Sequence, residues 1–164
     1  MKSWNEFDSE EPELAKSGRK MLFTTRAHVG QAFLATLRKD GAPRLHPVAL
    51  VFSNNHLYVF ISPTSPKCAD LKRDGRYALQ AFPPPENENG NEFYLSGTAE
   101  CIQDQSIRAA IIAEAGIRVD ESEMLFEFFL ERAMYTRLVN RDTPDEHPLY
   151  RKWRANNQKW RKSE

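Results

Sequence analysis

The chain is expected to fold as a small, mainly β domain: an antiparallel barrel with flanking α-helices. Three observations carry that expectation. Apolar, β-capable runs are separated by tight turns, Lys39-Asp40-Gly41 after the first and Ser53-Asn54-Asn55 after the second. Strands delivered by hairpins cannot build a doubly wound parallel sheet. The stronger helical patterns come late in the chain, so closing the sheet on itself is the natural way to remove its exposed edges.

The elements follow in order. Residues 1–12 are acidic and polar and read as a flexible lead. Pro12 suits the first turn of a helix, and Glu13–Phe23 follows with Leu14, Met21 and Leu22 as its apolar points, against the helix-weakening Gly18. Gln31–Arg38 is the first strand, and Asp40-Gly41 between two apolar runs is a hairpin signal. Pro43–Phe52 returns as the second strand and His56–Ile61 forms the third. Pro66 opens a short helix to about Asp74, with Ser65 as its cap. Tyr77–Phe82 is the fourth strand. Pro83 to Asn91 holds three consecutive prolines and must be a loop, either a lid over a site or a tolerated insertion. Glu92–Ile102 is the fifth strand. Gln103–Gly116 forms a helix with Ile107, Ala110, Ile111 and Ala115 on one face. Met124–Val139 is a long sixth strand bent near Glu131. A C-terminal helix is expected over 148–162, because Trp153 and Trp160, seven residues apart, would share a helical face.

Composition bounds the function. The 164 residues fit a single domain spanning 1–164. The formal net charge is zero, which argues against nucleic acid, whose binding needs an excess of Lys and Arg. No apolar run reaches the roughly 18 residues of a membrane helix, and MKSWNEFDSEEPEL lacks a signal-peptide core. The expected location is therefore cytoplasmic. Cys68 and Cys101 have no metal-ligand spacing, so no metal is expected. Cys68 is read as either a small packing residue or a reactive thiol.

The most suggestive stretch is Ser62-Pro63-Thr64-Ser65-Pro66-Lys67. Ser62, Thr64 and Ser65 supply hydroxyls and Lys67 a charge at a helix N-terminus, whose first N–H groups are unsatisfied and whose dipole favours an anion. The same residues also describe an ordinary capped helix with an exposed lysine. Arg44 on the neighbouring strand could add a bidentate contact. His46 shares the Arg44 face of the strand, so it turns toward whatever Arg44 faces. His28, His56 and His147 have surface or turn contexts. The basic residues from Arg151 to Lys162 read either as a solvated helix face or as a positive lip over an anionic ligand.

The pieces FLATLRKDGAPRLHPVALVF, HLYVFISPTSPKCADLKRDGRYAL and FYLSGTAEC, in this order over roughly 70 residues, resemble the pyridoxamine 5′-phosphate oxidase-related family of FMN-binding split barrels. The resemblance implies a six-stranded antiparallel split β-barrel, non-covalent FMN, and a homodimer with the cofactor at the subunit interface. It implies that Arg44, Lys67 and Ser65 approach the flavin phosphate, and that the backbone of Leu45, His46, Pro47 and Val48 runs beside the ring. Phe60 and Ile61 occupy positions that flank the flavin in the family. Glu92, and Trp153 or Arg154, are implied as contributions from the second subunit. The chain departs from the family oxidase where Pro66 precedes Lys67, where Ala49 or Leu50 stands in place of a second lysine, where Glu92 replaces a glutamine, and where WRANNQKWRK replaces the C-terminal substrate motif. The expected function is flavin-dependent electron transfer on a small-molecule substrate, related to but distinct from pyridoxamine phosphate oxidation. The alternatives are a deazaflavin-dependent reductase of the same fold and a non-enzymatic flavin- or haem-binding protein with His46, His56 or His147 as axial candidates.

Overall fold

A capping box opens the first helix. In the computed structural model, which describes residues 1–83 and 90–155, the Ser3 hydroxyl accepts from the Glu6 backbone N–H, and the Glu6 carboxylate accepts from the Ser3 N–H at 2.8 Å. The pair satisfies N–H groups that a helix start leaves without partners. Helix α1 (Trp4–Glu10) thus corrects the expected flexible lead over 1–12: Trp4 and Phe7 are buried, on one face. Helix α2 (Pro12–Leu22) has Pro12 in its first turn and buries Leu14, Ala15, Gly18 and Leu22.

Seven strands form one antiparallel sheet: β1 (Val29–Leu37), β2 (Pro43–Ser53), β3 (His56–Ile61), β4 (Arg76–Ala81), β5 (Glu92–Ile102), β6 (Met124–Val139) and β7 (His147–Arg154), in the order β3-β2-β1-β4-β5-β6-β7. Residues Tyr58–Ile61 of β3 also pair with Glu127–Met124 of β6. That pairing closes six strands into the split barrel expected from the sequence. Helix α3 (Pro66–Arg73) joins β3 to β4, and α4 (Gln105–Ala115) joins β5 to β6. The interior holds Leu34, Leu50, Leu57, Ile61, Leu79, Phe93, Leu95, Phe126 and Phe128. A smaller cluster of Val51, Tyr58, Ile111, Ala115 and Leu125 lies under α4.

Strand β6 is shared by three partners along one edge. β3 pairs with Met124–Glu127, the Lys2 backbone exchanges hydrogen bonds with Leu130 at 2.9 and 2.7 Å, and β7 pairs with Arg132–Val139. On the other edge the register with β5 shifts between Ser96 and Gly97, leaving Glu131 as the extra residue. This bulge is the bend expected near Glu131. A Cβ on Gly97 would lie 1.9 Å from the Phe129 carbonyl oxygen, so only glycine admits this approach.

The expected helix over 148–162 is corrected by β7. The segment from His147 to Arg154 hydrogen-bonds to β6, Val139 opposite His147 through Arg132 opposite Arg154. Local spacing of the tryptophans is overridden by a free strand edge waiting to be paired. Pro148 is tolerated because β7 is the last strand of the sheet. Trp160 and the rest of that expectation lie outside the described residues, as does most of the Pro83–Asn91 loop. No helix among the described residues is long and apolar enough to cross a membrane.

Candidate functional site

The site is built from the β1–β2 hairpin and the N-terminal half of α3. The hairpin turns at Gly41, whose φ of +83° suits glycine, and the Asp40 carboxylate accepts from the Ala42 N–H at 3.1 Å. β2 then alternates: Leu45, Pro47 and Ala49 are exposed, whereas Arg44 and His46 are half-buried and Val48 is buried. The parity argument placing Arg44 and His46 on one face therefore holds.

Arg44 does not stand free. Its Nε donates to Asp70 Oδ2 of α3 at 2.8 Å, the Thr36 hydroxyl donates to the same oxygen at 2.9 Å, and Arg73 Nη2 donates to Oδ1 at 3.2 Å. Asp70 is only 3% exposed. Burial acts to raise its carboxyl pKa, but the hydrogen bonds from Arg44, Thr36 and Arg73 outweigh it and hold the carboxyl below the ordinary value. Arg73 also donates to the Leu37 carbonyl, which ties α3 to the end of β1. Arg38, Lys39, Asp40, Arg44, Pro66, Ala69, Asp70 and Arg73 line an open groove of about 410 Å³ between hairpin and helix. Four cations face two carboxylates there.

The loop entering α3 is ordered by its own backbone. Ser65 N–H donates to the Ser62 carbonyl at 3.0 Å and Cys68 N–H to the Ser65 carbonyl at 2.9 Å. The Ser62 and Thr64 hydroxyls lie 3.0 Å apart. Ser65 is the N-cap by backbone position, as expected, but its hydroxyl makes no capping bond and is left for another partner. Lys67, in the first turn of α3, is half-buried. Its charge and that of Arg44 reach His46: burial first, then Lys67 and Arg44, push the imidazole below its ordinary pKa, against a smaller pull from Asp70. His46 is thus neutral near pH 7. Its Nε2 is buried with no hydrogen-bond partner, an uncommon condition for a polar atom.

Other expected residues lie elsewhere. Phe60 and Ile61 are consecutive, so their side chains face opposite ways. Ile61 is in the barrel core, and Phe60 lies under Arg108 of α4, whose guanidinium carbon is 5.0 Å from the ring centre. Only their backbone can border a ligand on the α3 side. Trp153 is 9% exposed, packs on Phe7 at 4.8 Å and donates to Glu10 at 2.9 Å. In its own subunit it is a core residue under α1, and with Tyr94, Met134 and Lys152 it borders a separate depression. Glu92 is exposed at the start of β5, opposite Thr136. The α3 side of the barrel meets the other half of that strand, where Ala99 N–H bonds to Gly75. Cys68 is buried beside Met124, its thiol donating to the thioether at 3.5 Å, and burial raises its pKa. That is the packing reading of this residue.

His56 and His147 are both engaged, with Glu127 at 2.5 Å and with the Asp145 carbonyl at 2.8 Å. Among the described residues no group of three or more His, Cys, Asp or Glu is arranged to hold a metal ion. Sequence reading missed Asp70, Arg73, Arg38 and Lys39. The available signal was Lys67, Asp70 and Arg73 at three-residue spacing, one stripe of a helix.

Comparison with known proteins agrees with the fold. The family profile described as pyridoxamine 5′-phosphate oxidase matches residues 23–142. No curated protein matches the chain by sequence. A protein related to general stress protein 26, of the pyridoxinephosphate oxidase family, from Clostridium acetobutylicum superposes with a TM-score of 0.56 at 15% identity, over 92% of this chain and 95% of that one. A heme-binding protein from Mycobacterium smegmatis gives 0.56 at 18% identity, over 73% of this chain and 52% of that one, so the chain spans about half its length. The heme storage protein HutZ from Vibrio cholerae gives 0.54 at 18% identity, over 80% and 92%. At such identities the likeness is one of fold.

Proposed function

The chain belongs to the pyridoxamine 5′-phosphate oxidase family, and from that premise we propose that it binds FMN without a covalent bond at the foot of α3 and serves as an oxidoreductase toward a small substrate. The observation that carries this reading is the convergence of Arg44 and Arg73 on one buried carboxylate, with the charges of Arg44 and Lys67 both reaching a neutral histidine whose Nε2 has no partner.

The residues fit the group. Arg44 and Arg73 against Asp70 leave a net positive corner for a phosphate, and Lys67, the free Ser65 hydroxyl and the N–H groups of the first turn of α3 add donors. Asp70 holds the Arg44 guanidinium by Nε, leaving its two terminal nitrogens to meet an anion. His46 Nε2, neutral and unpaired, can accept one hydrogen bond from a ligand N–H or O–H. The backbone of Leu45 to Val48 would border the ring, and Pro47 has no N–H to give it. Bound there, FMN supplies two-electron redox chemistry, while the protein supplies binding and electrostatics. The departures from the family pattern, Pro66 before Lys67 and Ala49 in place of a second lysine, favour a substrate other than pyridoxamine phosphate.

The exposed row of Leu45, Pro47 and Ala49 on β2, with Leu45 65% exposed, is the surface this reading assigns to a second copy, whose residues would complete the site. A second reading, haem, is favoured by the same unpaired His46 Nε2, since an imidazole must be neutral to act as a ligand, and by the two fold neighbours described as haem-binding and haem-storing.

The visible spectrum of the purified protein, with chromatography of what it releases on denaturation, tests both. Released FMN supports the first reading. A Soret band lost in His46→Ala supports the second. Failure to take up either on addition ends both.

A further inference from the structure

Strand β7 ends the row of strands and pairs only with β6. One bond sets the direction of its backbone groups: Ala155 N–H donates to the Glu131 carbonyl at 2.9 Å. Along an antiparallel pair, residues turn their N–H and C=O alternately toward and away from the partner strand. Trp153, Arg151, Leu149 and His147 therefore face β6, whereas Arg154, Lys152, Tyr150 and Pro148 turn their backbone outward. Pro148 fits this parity, since the N–H it lacks would have pointed away from the sheet. Among the described residues, no backbone group outside the strands bonds to these outward groups.

The side chains of Tyr150, Lys152 and Arg154 share one face. The register sets Lys152 beside Met134 and Tyr94, and Arg154 beside Arg132. Together they border a depression of about 410 Å³ next to the edge. Its charge is positive. Lys152 has no ion-pair partner among the described residues, and its Nζ lies 5.2 Å from the Tyr150 ring centre. Arg132 and Arg154 meet only Glu131, at 3.8 and 3.7 Å, with both arginine side chains more than half exposed, contacts of little worth in water. His147–Arg154 itself contains no carboxylate. On the opposite face Arg151 is paired with Glu11 at 3.1 Å.

We propose that the β7 edge docks an acidic peptide in extended conformation, which adds to the sheet as a further strand. The outward N–H and C=O groups of Tyr150, Lys152 and Arg154 supply the main-chain hydrogen bonds. Alternate carboxylates of the peptide meet Lys152, Arg154 and Arg132 above the floor of Tyr94 and Met134. Charge decides against a second copy of this chain, because β7 laid on β7 would bring the same cations together. Lysine and proline on an edge discourage pairing between identical strands, but the lysine attracts an acidic one. β7 lies at the far end of the strand order from β2, so the proposal does not rest on the flavin reading.

Fluorescence anisotropy of a labelled Glu-Val-Glu-Val-Glu-Val-Glu peptide on the full chain tests this. The controls are Lys-Val-Lys-Val-Lys-Val-Lys and the acidic peptide N-methylated at its glutamates, the residues whose N–H groups would bond β7. The acidic peptide should bind about tenfold tighter, or more, than either control, the yield of one or two hydrogen bonds. Lys152→Glu should weaken it about tenfold. Tyr150→Pro, which removes an outward N–H and leaves the β6 ladder intact, should do the same. On the wild type, saturating peptide should slow amide exchange at Tyr150, Lys152 and Arg154 about tenfold or more. If circular dichroism shows Tyr150→Pro misfolded, Lys152→Glu and the wild-type exchange measurement decide. Equal binding of the acidic and lysine peptides, or unchanged exchange at those amides, would overturn the proposal. So would a larger wild-type assembly, seen by size-exclusion chromatography, that Tyr150→Pro dissolves and the acidic peptide does not: the edge would then belong to a second copy.

Discussion

Replacing Asp70 by Asn isolates the electrostatics of the site from its shape. The carboxylate is buried and accepts from Thr36 at 2.9 Å, Arg44 at 2.8 Å and Arg73 at 3.2 Å. Asparagine keeps the volume and one acceptor oxygen but turns an NH₂ toward a donor. Removing one member of a fully buried ion pair costs about 3–5 kcal/mol. Here the Arg44 and Arg73 side chains are 30% and 38% exposed and can turn to water, so the expected loss is about 2–3 kcal/mol. For a domain of this size that is a fall in Tm of about 4–12 °C. The pH dependence supplies the stricter test. A carboxyl whose folded pKa is depressed stabilises the fold above its unfolded pKa, about 3.9. That stabilisation is lost as pH falls through the lower, folded value. The gap between wild type and Asp70→Asn should be constant from about pH 5 to 8 and close below about pH 4. Urea unfolding followed by tryptophan fluorescence across that range measures it. A variant as stable as the wild type at pH 7, or a gap that persists unchanged at pH 3, would refute the reasoning.

Lys67→Ala should remain folded and bind FMN about ten- to a hundredfold more weakly, read by fluorescence titration beside a circular dichroism control. Gly97→Ala places a methyl 1.9 Å from the Phe129 carbonyl oxygen and should cost more than about 3 kcal/mol, measured by denaturant unfolding; an unchanged midpoint would mean the β5–β6 bulge can widen freely. Since burial keeps the His46 imidazole neutral to lower pH than usual, binding that uses Nε2 as acceptor or ligand should hold from pH 8 to about 6.5 and weaken only below, with the weakening absent in His46→Gln.

Much of the barrel was legible because its signals are local. Asp40-Gly41 and Asn54-Asn55 do make the first two turns, with positive φ at Gly41, Asn54 and Asn55. The Gln103–Gly116 pattern is the helix α4, capped by Asp104 and ended by Gly116 in the left-handed region. The errors have identifiable causes. The acidity of residues 1–12 points to a flexible lead, whereas the Ser3-x-x-Glu6 box with Trp4 and Phe7 behind it makes a docked helix. The Trp153–Trp160 spacing suggested a helix, whereas a free edge of β6 decided the matter for His147–Arg154. Of the site, the positions of Arg44, His46 and Ser65 followed from strand parity and helix starts. Asp70 could not, because a carboxylate on an amphipathic helix becomes a partner of Arg44 only once α3 has docked on the hairpin. Phe60 and Ile61 are different: strand alternation alone separates their side chains.

The triple use of β6 has a consequence for the order of assembly. The Lys2 backbone pairs with Leu130, and Trp4 and Phe7 need Phe93 and Trp153 to complete their surroundings. As the chain leaves the ribosome, these aromatics must wait until β5 and β7 have been made before their seat exists. Loop closure over such a span is entropically slow. Until β6 arrives, the β1–β2–β3 hairpins present an open edge on β3 and the first helix an uncovered apolar face, the exposed surfaces that promote association between nascent chains. A destabilising change in the second half of β6 should therefore appear first as lost soluble yield on expression rather than as a lower Tm in the molecules that do fold.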